Sequence, residues 1–456
     1  MSFLDDSYLL TSGPAREIYS CISMLPIIDA HNHCDVKALS EDRNFTDIWE
    51  AEAATDHYVW ECLRKCNVPE ELITGKNASN QEKWTALAKV FPLIAGNPTY
   101  EWVHLDLKRR LGLDLEINAG NAAELWERSC EILARPEMSQ QSLIKAMQVE
   151  IMCSTDDPAD TLEFHQALDN SRIPGVVLPT FRPDKAMNID KSGWNSYLDT
   201  LGKRWNMSIE TLPELLEALG KAHDFFASKG CKASDHGVCV PYGYHVDEQT
   251  AASVFLKARQ GEALSEGEIV AYMSYFLNAV AEMDAEKDWV FQIHIGAVRD
   301  VRKSLFNALG PDVGGDISDH RTDIVGPLLP LLNRFDERLK IVLYNLNPIH
   351  NATLAQLTRA FGHKVSLGLA WWLCDSYIGM RQQLDFVGTV DVLTNMAGMV
   401  SDSRKILSYG SRHEVFRRTL SDSLGAMVVR GQMSLSSGKE IAAFLSYKRP
   451  KQLFGF

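Results

Sequence analysis

Residues 25–33 read Leu-Pro-Ile-Ile-Asp-Ala-His-Asn-His, a short apolar run that ends in a His-x-His pair. Alternate residues of a β-strand point to the same side, so His31 and His33 are predicted to project together from one strand end. Two imidazoles in that position form half of a site for a divalent cation such as Zn²⁺. The pair alone is a weak signal, because surface and core histidines match this spacing by chance.

Short apolar runs recur along the chain between amphipathic stretches and give eight candidate strands: Ile27–His33, Val149–Ser154, Gly175–Phe181, Gly230–His236, Trp289–Gly296, Lys340–Asn345, Lys364–Leu369 and Met396–Asp402. Strand–helix alternation predicts a parallel sheet, and eight such units predict a closed (β/α)₈ barrel. Roughly 115 residues separate the first two strands, far more than an ordinary connection. Since residues 44–145 read as helical, we expect an α-helical insertion within one barrel that spans residues 1–456.

Composition excludes several classes of partner. The chain has 456 residues with 46 basic and 60 acidic side chains, a formal charge of −14, which argues against nucleic acid and anionic membranes. No apolar run approaches the roughly 20 residues of a membrane span, and the N-terminus lacks the core of a signal peptide. Nine scattered cysteines do not make a disulfide framework. We therefore expect a cytoplasmic protein.

Polar residues cluster where the predicted strands end, which is where a barrel places its active site. His31 and His33 end the first strand, His294 lies in the fifth, and Asp402 ends the eighth. Together these four side chains supply nitrogen and oxygen ligands for one divalent cation with an open position for substrate. Each also has a simpler explanation: His294 as a hydrogen-bonded core histidine, and Asp402 as the N-cap of a following helix.

Two arginines follow predicted strands three and eight. Arg182 and Arg404 are candidate anion contacts, because a guanidinium pairs with a carboxylate through two parallel hydrogen bonds; structural salt bridges are the alternative. Asp56-His57-Tyr58 lies in the insertion, where it could fold over the barrel mouth and serve proton transfer rather than plain packing. Trp371-Trp372 is either barrel core or a platform for the face of a sugar.

At this level of detail the chain resembles the uronate isomerase family, a branch of the amidohydrolase superfamily. The motifs that carry the resemblance run in family order over essentially the whole chain: His31-Asn32-His33, Leu39–Phe45, Asp56-His57-Tyr58, Val68–Gly75, Gly96-Asn97-Pro98, Trp102-x-His104-Leu105, Thr155–Pro158, Val177–Lys185, Gly230-Cys231, Ser234–Gly237, Gln292–Ala297, Gly310-Pro311-Asp312, Leu346-Asn347-Pro348, Trp371-Trp372, Ser401–Arg404, Leu407-Ser408-Tyr409 and Arg412-His413-Glu414. The resemblance implies a distorted (β/α)₈ barrel with a helical insertion after strand one.

The resemblance also implies an activity, the interconversion of D-glucuronate with D-fructuronate and of D-galacturonate with D-tagaturonate. The roles that it implies are a metal held by His31, His33, His294 and Asp402, proton transfer by Asp402 with Arg404 beside it, substrate contacts from Arg182, Arg404, Trp371 and Trp372, and support from His57 and Tyr58. We expect one divalent ion, zinc by preference and at partial occupancy. A small uronate substrate and a homo-oligomer complete the expectation.

The chain departs from the family pattern around the seventh predicted strand. Residues 373–377, Leu-Cys-Asp-Ser-Tyr, differ from the Phe-Asn-Asp-Gln type, and residues 367–370 are more apolar than usual. Because this strand borders the expected pocket, the sequence leaves open which uronate is preferred. It also leaves open an alternative activity: a metal-dependent hydrolase of the same superfamily, a sugar lactonase or amidohydrolase, would use the ion to lower the pKa of a bound water.

Overall fold

The computed structural model describes residues 3–369 and 371–456. Its strands are β1 (Ile27–Asp29), β2 (Val149–Cys153), β3 (Val177–Leu178), β4 (Ala233–Val238), β5 (Val290–Ile295), β6 (Ala297–Val298), β7 (Ile317–Ser318), β8 (Lys340–Asn345) and β9 (Val365–Leu367). Its α-helices are α1 (Gly13–Ile22), α2 (Val36–Glu41), α3 (Ile48–Glu52), α4 (His57–Lys65), α5 (Asn80–Val90), α6 (Pro98–Arg110), α7 (Ala122–Leu133), α8 (Gln140–Ala146), α9 (Glu163–Leu168), α10 (Asp184–Met187), α11 (Trp194–Arg204), α12 (Leu212–Ser228), α13 (Glu248–Arg259), α14 (Glu266–Glu286), α15 (Lys303–Leu309), α16 (Val325–Arg334), α17 (Asn351–Ala360), α18 (Tyr377–Val390), α19 (Ser408–Val429), α20 (Leu435–Ala443) and α21 (Arg449–Phe454).

The longer strands form two parallel sheets. One has the order β1-β2-β3 and the other β4-β5-β8-β9, while β6 and β7 form a separate antiparallel pair. Phe181 joins the two parallel sheets, since it makes isolated parallel bridges to Asp156 on one side and to Ser234 on the other. All six residues of β5 are buried, as expected of a parallel strand covered on both faces. Parallel strands with intervening helices give an α/β barrel-like fold, which confirms the predicted fold class.

The eighth predicted strand, Met396–Asp402, does not form. Gly398 and Asp402 have φ values of +101° and +50°, left-handed conformations that interrupt an extended strand. The segment nevertheless bonds to both neighbouring elements: Ala397 N donates to Leu367 O at 3.0 Å, and Asp402 N donates to His31 O at 3.2 Å. An irregular segment therefore lies between β9 and β1, and closure into an eight-stranded barrel stays a prediction.

Helices and no strand lie between β1 and β2, a region that the structure describes throughout. Residues 48–65 form two helices, α3 and α4, because Asp56 begins a new helix as N-cap and its carboxylate accepts from Tyr58 N at 2.9 Å. Trp49, Trp84 and Leu125 belong to an apolar cluster separate from the one around β5. That cluster also includes Ile27, Val149 and Val177, so the insertion packs against the β1-β2-β3 sheet, and its bounds at 44–145 stay a prediction.

Two charged features sit in the buried parts of the fold. Helix α19 is buried along most of its length, including Arg412 and Arg418. Lys405 precedes that helix and reaches three acids, with Glu52 at 3.0 Å and Asp56 at 3.2 Å as the nearest. This buried cation ties the segment after residue 402 to the insertion. Across residues 3–369 and 371–456, no helix combines the length and apolar character that a membrane crossing requires.

Candidate active site

Three of the four predicted metal ligands come together just beyond the end of β1. Asp402 Oδ1 lies 3.1 Å from His31 Nε2 and 3.2 Å from His33 Nε2. The three ligand atoms all fall within 4.8 Å of one another, and the donors are two imidazole nitrogens and a carboxylate oxygen. Such a donor set suits a divalent ion of borderline softness, so these residues fit a metal. Asp402 is not a helix N-cap, because α19 begins only at Ser408.

Backbone contacts hold this trio in place. His33 N donates to Ser403 O at 3.1 Å, and Ser401 N donates to the buried carboxylate of Asp29 at 2.8 Å. Asp402 between them adopts φ +50°, an uncommon conformation for a residue other than glycine. Residues forced into such conformations cluster at functional sites, where surrounding contacts compensate for the strain. The irregular segment therefore delivers the Asp402 carboxylate to the two histidines.

His294, the fourth predicted ligand, belongs to a second group. Its Nδ1 lies 2.6 Å from Asp235 Oδ1, and Asp235 Oδ2 lies 3.4 Å from His31 Nδ1. His31, Asp235 and His294 again have ligand atoms within 4.8 Å, so the structure splits the predicted set of four around the shared His31. The sequence reading missed Asp235 as a site residue. Its position between Ser234 and His236 in a strand-four motif was the available signal.

Two carboxylates and one guanidinium set the electrostatics around His31. Burial lowers the pKa of His31, but the carboxylates of Asp235 and Asp402 outweigh burial and raise it above its ordinary value. Burial alone would raise the pKa of Asp235, yet Arg182 and the two imidazoles hold it well below the ordinary value. His294 is different, since burial lowers its pKa to about 4. A neutral His294 and an ionised Asp235 therefore lie beneath the trio.

A pocket of about 290 Å³ opens over these groups and is lined by His31, His33 and Asp402 together with Arg182, Arg299 and Arg404. Arg182 is already paired: its Nε lies 2.8 Å from Asp184 and its Nη1 lies 3.0 Å from Asp235. Its guanidinium also fills the space that a Cβ at Gly237 would need. Arg404 is less committed, since its nearest carboxylate within the described residues is Asp312 at 3.9 Å.

Arg299 was not singled out from the sequence. It follows β6, and its guanidinium lies 4.8 Å from the Trp372 ring centroid while Nη1 lies 2.8 Å from Asp316. The strands β6 and β7 pair antiparallel and thereby bring Arg299, Asp312, Gly314 and Asp316 to the pocket rim. Arg299 stands two residues after the Gln292–Ala297 motif, which was the only hint in the sequence.

Aromatic side chains form one wall. Trp371 and Trp372 both line the pocket, and their buried indole nitrogens have no hydrogen-bond partner within the described residues. A buried indole N–H usually finds a partner, so two unpaired donors among the described residues stand out in this wall. Residue 370, the last of the altered run before them, lies outside the described residues.

His57 and Tyr58 begin α4 between β1 and β2, and only His57 reaches this pocket. The His57 ring lines it and stacks on Tyr58 with centroids 4.8 Å apart. The Tyr58 hydroxyl points away and donates to Asp375 Oδ2 at 3.4 Å. Tyr58 instead lines a second cavity of about 530 Å³ on the far side of Trp372.

Comparison with known proteins identifies the family of this chain. A family model described as glucuronate isomerase matches residues 1–454. The chain belongs to the glucuronate isomerase family. It is 48% identical over 452 residues to the uronate isomerase of Thermotoga maritima, covering 99% of both chains. The crystal structure of uronate isomerase from that organism matches all of both chains with a TM-score of 0.97.

The architecture holds at greater distance within the family. The crystal structure of glucuronate isomerase from Caulobacter crescentus is 26% identical, yet matches all of this chain and 97% of its own with a TM-score of 0.94. The overall fold of this chain is therefore shared with a family member of much lower sequence identity. These matches name isomerases and do not favour the hydrolase alternative.

Proposed function

We propose that this chain isomerises hexuronates, converting D-glucuronate to D-fructuronate, D-galacturonate to D-tagaturonate, or both. The observation that carries the proposal is the pocket lining, in which a candidate metal trio, three arginines and two tryptophans face one cavity. Guanidinium groups suit the substrate carboxylate, and indole faces and N–H groups suit a sugar chain. Membership of the glucuronate isomerase family supports the same reading.

His31, His33 and Asp402 would hold one divalent ion, and zinc suits their donor set. When bound, such an ion would polarise a carbonyl oxygen of the substrate as a Lewis acid. Partial occupancy is expected, because an isomerisation needs no activated water. His294 is assigned a supporting role, since its contact with Asp235 fixes the carboxylate that faces His31.

Aldose–ketose isomerisation moves a proton from C2 to C1 through an enediol, so it needs a base near C2. We assign that role to Asp402, whose Oδ1 faces the two imidazoles and whose Oδ2 remains for proton transfer. Although burial raises the pKa of Asp402, its bonds to His31 and His33 hold that pKa well below the ordinary value, so the carboxylate is ionised.

The three arginines of the pocket are assigned different roles. Arg404, two residues from the base and with no carboxylate closer than 3.9 Å within the described residues, is placed to steady the developing oxyanion. Arg299 and Arg182 are assigned to the substrate carboxylate and to its register. His57 lines the pocket beside them, and Tyr58 supports it by stacking. Orientation by such groups is worth several kcal/mol of the barrier.

A homo-oligomer and a cytoplasmic location are the further predictions that accompany this function. Neither follows from the pocket geometry. Sedimentation of the purified protein checks the oligomeric state, and fractionation of the cells that make it checks the location.

The decisive assay supplies the purified, zinc-loaded protein with D-glucuronate and, separately, with D-galacturonate. We expect proton NMR to detect the corresponding ketouronate, and Asp402→Asn protein serves as the negative control. A parallel reaction with a sugar lactone tests the hydrolase alternative. Lactone opening without any ketose from either uronate would overturn the proposed function.

A further inference from the structure

Tyr58, Asp375 and Arg412 form a buried trio at the back of the pocket wall. Asp375 Oδ2 accepts from the Tyr58 hydroxyl at 3.4 Å and from Arg412 Nη1 at 2.8 Å. The Arg412 guanidinium also lies 5.0 Å from the centroid of the Tyr58 ring, so cation and phenol are in contact. The three side chains come from α4, from the loop before α18 and from α19.

Arg412 extends this trio toward the proposed base. Its Nη1 also donates to the backbone oxygen of Ser401 at 3.1 Å, and Ser401 directly precedes Asp402. Arg412 Nη1 thus contacts both the Asp375 carboxylate, which accepts the hydrogen bond from Tyr58, and the segment that carries Asp402. The insertion and the irregular segment are joined at this point.

The trio also lies between two cavities. Trp372 lines both the active-site pocket and the second cavity, whereas Tyr58 and Asp375 line only the second. The other carboxylate oxygen, Asp375 Oδ1, is buried and has no hydrogen-bond partner within the described residues. Burial raises the pKa of Asp375 to about 7 despite the neighbouring Arg412. A buried acceptor without a hydrogen bond lowers the free energy of unfolding, so we look for a role of Asp375 toward the residues that it contacts.

We propose that Asp375 is a positioning residue for the isomerisation, which holds the Tyr58 hydroxyl and, through Arg412, the segment that presents Asp402. This inference rests on the proposed function. The proposal has a specific consequence for the altered stretch 373–377. Asp375 is the residue of that stretch whose side chain acts on the reacting groups, and it does so through Tyr58 and Arg412. The flanking changes at 373, 374, 376 and 377 leave that contact intact.

The test combines Asp375→Asn with Tyr58→Phe and measures kcat and KM for each single variant and for the double variant. Asparagine keeps the shape and can still accept from Arg412, so the fold should survive. We expect Asp375→Asn to lower kcat about 10- to 100-fold with little change in KM, as outer partners of catalytic groups do. In the Tyr58→Phe background the same change should cost less than about twofold, since residues that act through one another are not additive.

The chain offers a control in a second Tyr–Asp–Arg trio, whose aspartate is buried. Asp422 accepts from the Tyr377 hydroxyl at 3.0 Å and from Arg381, and it lines neither cavity described above. Asp422→Asn should therefore leave kcat unchanged. Equal losses from Asp375→Asn in both backgrounds would overturn the part of the proposal that runs through Tyr58, and a loss of the same size from Asp422→Asn would mean that Asp375 is merely structural.

A second readout does not depend on turnover. In protein labelled with ¹³C at the tyrosine ζ carbon, Asp375→Asn should shift the Tyr58 resonance, which Tyr58→Phe identifies by its loss. Asp422→Asn should shift the Tyr377 resonance instead. An unmoved Tyr58 resonance overturns the proposal even if the enzyme is active. A protein with the shift but without ketouronate formation would contradict the proposed function while the Tyr58–Asp375 contact stands.

Discussion

The two parallel sheets differ in regularity, and the difference follows function. In the β4-β5-β8-β9 sheet, residues pair in continuous parallel register, as in β5 against β8 from Val290 to Ile295. In the β1-β2-β3 sheet the strands have two to five residues, and the register shifts between Ile27 and Ile28. His31, His33 and Arg182 follow strands of the irregular sheet, and Asp402 lies in the irregular segment beside β1. Trp371 and Trp372, which follow β9 of the regular sheet, also line the pocket.

The strands of the regular sheet themselves supply support beneath the pocket. Asp235 and His294 lie inside β4 and β5, are buried, and bond to each other beneath the trio. A continuous ladder fixes such side chains firmly, whereas a segment with left-handed residues can turn a carboxylate toward a ligand. This division predicts large catalytic effects from the irregular side and smaller, indirect effects from the regular side.

The largest effect is expected at Asp402. Asp402→Asn keeps the size of the side chain but removes the base, so kcat should fall by about 1,000-fold or more while uronate binding by calorimetry persists. Asp288→Asn is the control, because Asp288 also has positive φ, +55°, but pairs with Lys340 away from the pocket. If Asp402→Asn turns over normally, the base lies elsewhere, with His57 or Tyr58 next in line.

Zinc affinity distinguishes the contributions of the two sheets more directly than activity does. The double variant His31→Ala with His33→Ala should lose zinc, with an affinity more than about 100-fold weaker, while Asp235→Asn should weaken it about 10- to 100-fold. Metal analysis after dialysis against buffered zinc checks both, and His320→Ala with His363→Ala removes two histidines outside the pocket as a control. Unchanged zinc content in the first variant would eliminate the site.

The same contrast explains how far the sequence could be read. The buried runs 290–295 and 340–345 were predicted almost to the residue, because an apolar run bounded by polar residues is a local signal. The eighth strand failed because the left-handed turns at Gly398 and Asp402 depend on distant partners, such as Asp29. Arg299 escaped for a related reason, since only the β6–β7 pairing brings it to the pocket.

Arg182 and Arg404 should respond differently, although both were predicted as substrate contacts. Arg404→Met should lower kcat/KM with little change in stability, because its side chain is 30% exposed and far from a carboxylate. Arg182→Met should raise KM and also destabilise the fold by about 3–5 kcal/mol, since it leaves Asp184 and Asp235 buried without their cation. Steady-state kinetics with urea denaturation of both variants makes the comparison. Equal stabilities would show that the two ion pairs of Arg182 add nothing.

The smallest expected effect lies at the seam between the sheets, where Asp156 bridges to Phe181. Burial raises the pKa of Asp156 to about 7, against bonds from Ser154 and Thr180 that lower it. An unfolded chain releases this proton near its ordinary value of 3.8, whereas the folded chain keeps it up to about pH 7. The free energy of unfolding should therefore fall as pH rises through this window and level off above it.

Asp156→Asn removes that dependence. Relative to the wild-type protein, the variant should gain about 2–4 kcal/mol between pH 4 and pH 8, because one pKa unit corresponds to about 1.4 kcal/mol. Asparagine Oδ1 can still accept from Ser154 and Thr180, so the seam itself should persist. Urea denaturation at several pH values measures the gain, and Asp224→Asn controls for the loss of one exposed carboxylate, since that side chain is 73% exposed. Parallel stability curves for wild type and Asp156→Asn would mean that Asp156 is ionised in the folded protein, with His165 Nε2 at 3.7 Å from its carboxylate as the base that can carry the balancing charge.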